Sequence, residues 1–199
     1  MILTQNQRSS SQALSQEAIY AGVTKMSQLL TYHWDENSIT DDANNAIVYA
    51  KVLDANLSQN ELLRFNNTRY RVGHFKGSSR RSFFPDPTPA SLPLGSDAEA
   101  FPDDIDDLAV VNQILISADN EHGYKQNYRY TVSVNYVSDV ADYNQTTING
   151  FNFNTVNMIV PSHIKRVTLD VTLNNEPQFM LETYVSNIGE TDIISRVFQ

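Results

Sequence analysis

The chain has 199 residues, a length that one domain can fill. Fourteen Lys/Arg against 23 Asp/Glu leave a formal charge of −9, which repels phosphate backbones and anionic lipid and disfavours nucleic acid as a partner. Cysteine is absent, which removes thiol catalysis, disulfides and Cys-based zinc sites together.

Residues 1–11 hold only Ile2 and Leu3 as large apolar groups beyond Met1, too few for a signal-peptide core. Later apolar runs, such as residues 158–161, fall far short of the ~20 residues needed to cross a bilayer. The sequence therefore predicts a soluble chain. Across residues 11–32, Leu14, Ala18, Ile19, Val23, Met26, Leu29 and Leu30 recur at three- and four-residue steps, the period of an amphipathic helix. Ser15, Gln16, Thr24, Lys25 and Gln28 form its polar face, and Gly22 marks either a local weakness or a close packing contact. Asp35-Glu36-Asn37-Ser38 supplies turn chemistry to end it.

Residues 46–73 read as short strands, with Asn66-Asn67 suited to a tight hairpin because Asn tolerates positive φ. Residues 73–125 form a loop-rich region whose first part carries Pro85, Pro87, Pro89, Pro93 and Pro102 with Gly73, Gly77 and Gly95, breakers that exclude a sustained element. Residues 108–117 are apolar enough to be buried but mixed in period. From 126 to 199 the pattern becomes an antiparallel sheet. Tyr128, Tyr130, Val132, Val134 and Tyr136 alternate with polar residues, and so do Val167, Leu169, Val171 and Leu173. A hairpin over residues 164–185 turns at Asn174-Asn175-Glu176-Pro177, and residues 193–198 read as a final edge strand. Helix first and strands after predict one α+β domain over residues 1–199, a long N-terminal amphipathic helix packed on an antiparallel sheet, with a long Pro/Gly-rich loop region.

Asp103, Asp104, Asp106 and Asp107 crowd one irregular stretch. Carboxylates so placed suit a hard cation such as calcium, but no EF-hand spacing organises them. The competing readings are a solvated acidic loop and a cap for a helix starting near Leu108. Arg69, Arg71, His74, Lys76, Arg80 and Arg81 make a local basic patch, better suited to pairing within the molecule, with the aspartate cluster about thirty residues on, or between subunits than to a ligand, since no phosphate-loop pattern accompanies it. His33, His74, His122 and His163 are scattered, and no G-x-S-x-G or H-E-x-x-H occurs, so the chain is read as a non-enzyme. Tyr32, His33 and Trp34 offer either a sugar-stacking platform or, the more ordinary use of such aromatics, a core plug. Asn66-Asn67-Thr68 and Asn144-Gln145-Thr146 match a glycosylation acceptor pattern by chance.

The stretches QEAIYAGVTKMSQLLTYHWDEN at 16–37, FPDDIDDL at 101–108, residues 163–168 and YVSNIGE at 184–190, in the order helix, variable loops, sheet, resemble the soluble part of a type IV pilin or type II secretion pseudopilin. The resemblance spans most of the chain. It implies a minor pilin or pseudopilin acting in secretion, adhesion or motility. Such a subunit is periplasmic or extracellular and partners other pilin subunits and the inner membrane. Some pilin-like proteins hold calcium in an outer loop, which again points to Asp103, Asp104, Asp106 and Asp107. The family's leader and hydrophobic helical half are missing before Ser11, implying that the membrane-inserting part has been trimmed away. The alternative from another class is a carbohydrate- or surface-binding β-rich adhesin module.

Overall fold

The computed structural model describes residues 2–41, 47–50, 52–55, 64–65, 68–69, 88–95, 101–116, 123–138, 152 and 156–187. Helix α1 spans Ile2–Leu29, beginning earlier and ending sooner than the apolar period alone predicts. No Gly or Pro precedes Gly22, so nothing breaks the helix before the stripe begins. Its last turn tightens through bonds from Thr31 N to Gln28 O and from Tyr32 N to Leu29 O, at 3.1 and 3.2 Å, which satisfy terminal carbonyls and close the helix before the acidic turn is reached.

The strands are β1 (Ile39–Asp41), β2 (Ile47–Ala50), β3 (Arg64–Phe65), β4 (Thr68–Arg69), β5 (Val110–Ile114), β6 (Tyr128–Val137), β7 (Ile164–Leu173) and β8 (Glu176–Ser186). β1 pairs with β2, and β3 pairs with β4 across Asn66-Asn67, the hairpin expected there. The main sheet is an antiparallel meander in the order β5-β6-β7-β8. The β7–β8 turn is narrower than expected. Asn174 and Asn175 alone supply it, at φ 52° and 66°, the left-handed pair that a two-residue hairpin turn requires. Pro177 consequently lies inside β8, opposite Thr172 at a register shift, where a strand at the end of the sheet order tolerates a missing N–H.

The helix lies across β7 and β8 with a face of small residues. Ala18, Ala21, Met26 and Leu29 are buried with Val132, Val134, Val167, Leu169 and Val171. Gly22 meets the sheet so closely that a Cβ there would stand 2.5 Å from Phe179 Cζ and 3.3 Å from Val171 Cγ2. Ile19, Val23 and Leu30, expected in the buried stripe, are instead exposed at 46%, 45% and 42%. The reason is steric: the smallest residues let the helix approach, and the approach rotates the larger ones outward. The middle of the helix is tied by Tyr128 Oη donating to Leu14 O at 2.9 Å and by Lys125 N donating to Glu17 at 2.9 Å. Residues 8–13 are exposed and stand clear of the sheet. Residues 108–117 also depart from expectation. They contain the edge strand β5, in which Leu115 just beyond it is buried while Val111, Ile114 and Ile116 face solvent.

Candidate functional site

Three segments meet at the end of the sheet where the helix finishes. The turn after α1 carries Trp34 and Asp35, the acidic loop carries Asp104 and Asp106, and the central strand β7 carries Lys165. Ile105 N donates to His33 O at 2.9 Å, joining the first two segments, and Lys165 reaches up between them from the sheet. The β7 pattern explains that direction. Val167, Leu169 and Val171 face the helix, and two residues before Val167 the same face presents Lys165.

The Lys165 side chain is wholly buried, and its ammonium spends each of its three protons. Nζ donates to Trp34 O at 2.6 Å, to Asp106 Oδ1 at 2.5 Å and to Asp35 Oδ2 at 3.2 Å. Asp104 Oδ2 lies 4.0 Å away. The faces of Trp34 and Tyr136 close the remaining sides, their centroids 4.6 and 5.4 Å from the nitrogen, a favourable placement for a desolvated cation.

The three carboxylates differ in their company. Asp35 is surrounded by donors, Asn37 N at 3.1 Å and Ser91 N and Oγ at 2.9 Å each, while Tyr136 Oη stands 3.3 Å from it and donates over the shorter distance, 2.8 Å, to Ser91 O. Asp106 receives, besides the lysine, only Gly95 N, at 3.0 Å on Oδ2, among the bonds described. Asp104 braces the loop, accepting from Glu36 N at 3.0 Å, Asp106 N at 2.8 Å and Asp107 N at 3.1 Å. Burial, then the neighbouring Asp106 charge, push the Asp104 carboxyl up to about 7, against the pull of Lys165 and the Asp107 N–H. Burial and the Asp35 charge likewise push the Tyr136 hydroxyl upward, so it stays a donor at neutral pH. A cavity of about 170 Å³, lined by Ser91, Gly95, Asp104, Asp106 and Asp107 among others, adjoins the cluster.

The aspartates singled out by sequence therefore divide. Asp104 and Asp106 are buried and enclose a lysine, while Asp103 is exposed and Asp107 half-buried, with Asp103 N donating to Asp107 Oδ2 at 3.1 Å. Among the described residues no group of three or more His, Cys, Asp or Glu is arranged to hold a metal ion. Of the basic patch, only the backbone of Arg69 falls among the described residues; Arg71, His74, Lys76, Arg80 and Arg81 lie outside them, as do residues 193–198.

Trp34 takes the role of core plug. It is 6% exposed, stands 6.3 Å from the Tyr136 ring and donates Nε1 to Val185 O at 3.3 Å, which leaves no open face for a sugar. Beside it, Asn187 splices the strand end to residues 52–55, donating Nδ2 to Leu53 O at 2.6 Å and accepting from Leu53 N at 3.1 Å. Two residues of the centre escaped the sequence reading as functional groups, Lys165 and Asp35. No family model, curated protein or solved structure matches this chain.

Proposed function

We propose that this protein is a non-enzymatic filament subunit of the type IV pilin or type II secretion pseudopilin kind, working by contact in secretion, adhesion or motility at the bacterial periplasm or surface. The observation that carries the reading is the helix. It runs 28 residues, packs on an antiparallel sheet through Ala18, Ala21, Met26 and Leu29, and turns Ile19, Tyr20, Val23 and Leu30 to solvent. Ile19, Val23 and Leu30 fall within about 40° of one another around the helix axis, so they form one flank. On a chain of net charge −9, such a flank is a contact surface, and in this reading it receives the helix of a neighbouring subunit.

The absence of cysteine makes the test clean. Val23→Cys in the full-length protein, at native abundance, should give disulfide-linked copies or adducts to other subunits in the sheared or membrane fraction on mild oxidation. Asn175→Cys, at the far hairpin tip, should give none. Monomer alone from Val23→Cys, with the protein recovered apart from any filament, overturns the reading.

A further inference from the structure

A primary amine held 2.5 Å from a carboxyl oxygen inside a site closed by two aromatic rings is an ion pair and also the reactant pair of an amide. We propose that Lys165 and Asp106 condense to an intramolecular isopeptide bond, with Asp104 and Asp35 as the proton carriers. The inference does not depend on the filament reading, since it rests on the buried cluster alone.

Each requirement of the reaction has a group in place. Burial removes the water that would keep amine and carboxylate charged and apart: the side chains of Lys165 and Asp35 are 0% exposed and that of Asp106 is 4% exposed. Reactants fixed in contact gain the advantage of an intramolecular encounter. Gly95 N–H, bonded to Asp106 Oδ2 at 3.0 Å, is aimed at the oxygen on which negative charge develops during attack. Asp104 stands at the same ammonium, its Oδ2 4.0 Å from Lys165 Nζ, and accepts from Asp106 N at 2.8 Å.

The atoms balance without a co-reactant. The Lys165 ammonium passes one proton to Asp35 while the Asp104 acid protonates Asp106. The neutral amine attacks Cγ of Asp106, forming the N–C bond and a tetrahedral centre. The nitrogen yields its second proton to Asp104, the C–O bond breaks, and the departing hydroxyl takes the proton from Asp35 to leave as water. Ammonium plus carboxylate become amide plus one water, both carriers return to their starting states, and no oxidation occurs. The 170 Å³ cavity lined by Asp104 and Asp106 gives the water a way out. Asp106 rather than Asp35 is the electrophile because it stands closer to Nζ, at 2.5 against 3.2 Å, and because Asp35 is held by further donors from Asn37 and Ser91.

The test is the mass of the full chain after denaturation, followed by peptide mapping. The expected mass is about 18 Da below that of the sequence, the loss of one water, with a branched peptide joining Lys165 to Asp106. Lys165→Met and Asp106→Ala should each restore the full mass. Asp104→Asn, checked for folding by circular dichroism, should remain unlinked over an incubation that completes the wild type. A wild-type chain at full mass after prolonged incubation in the folded state overturns the proposal whatever the variants do. A branch at Asp35 overturns the assignment of Asp106, and equal linkage in Asp104→Asn overturns the role of Asp104.

Discussion

Gly22 is the position at which the helix–sheet contact is most sharply tested. A methyl group there would sit 2.5 and 2.7 Å from two ring carbons of Phe179, about 1 Å inside ordinary carbon–carbon contact. Gly22→Ala gains about 1 kcal/mol in helix propensity and loses about 1–3 kcal/mol to overpacking. The expected net is a loss of about 1 kcal/mol, or a melting temperature about 2–4 °C lower for a chain of this size. The informative measurement is the same substitution in a Phe179→Ala background. With the ring gone, the propensity gain is opposed only by the milder approach to Val171 Cγ2 at 3.3 Å, so Gly22→Ala should turn from destabilising to stabilising. Chemical denaturation of the four proteins gives the coupling directly. A wild-type background in which Gly22→Ala raises the melting temperature, or a double variant showing no reversal of sign, would refute the close approach.

Other expectations follow from the cluster and its surroundings. Because the Asp104 carboxyl is held at about 7 against an ordinary 3.8, the folded protein keeps a proton that the unfolded chain releases. That stabilisation is full below about pH 4 and is lost as pH rises toward 7, at no more than about 1.4 kcal/mol per pH unit. Burial, the larger cause, persists after cross-linking, so the sign is the same for both forms. Asp104→Asn should flatten this component of the urea-midpoint profile, and identical profiles would contradict it. Trp34→Ala should cost about 3–5 kcal/mol, and since Trp34 is the only tryptophan, its emission in the wild type should be blue-shifted and move red on unfolding. Asn187→Ala, which strands both Leu53 backbone groups, should cost about 2–4 kcal/mol by thermal melting. Glu182→Gln, removing a partly exposed partner 3.8 Å from Arg166, should change stability by less than about 1 kcal/mol.

How much of this was legible from residues alone varied with the kind of signal. Strict alternation in β6 and β7 is a period that only a sheet produces, and both strands and the hairpin between β7 and β8 follow from it. The helix was legible as a helix, and Ala18, Met26 and Leu29 were correctly placed inside. Its rotation was not, because apolar bulk was taken as the mark of the buried face whereas contact here is made through Ala21 and Gly22. The aspartates were visible as a cluster, but their counter-charge was sought in the basic patch rather than 59 residues away on the sheet. The signal was present: carrying the Val167, Leu169, Val171 alternation back one step puts Lys165 on the buried face. A charged residue at such a position demands opposite charges nearby. Asp35 gave no comparable sign, since an aspartate just after a helix is ordinarily read as turn chemistry.

The placement of small side chains along α1 has a mechanical corollary. Tension applied along the helix axis loads the whole seam from Leu14 to Leu29 in shear, so all its contacts must slip together. A sideways pull would instead unzip one turn after another at far lower force. With Gly22 keyed beneath the Phe179 ring, axial sliding also has to lift that ring over Ala18 or Met26, one turn away along the same face, a ratchet tooth against displacement along the axis.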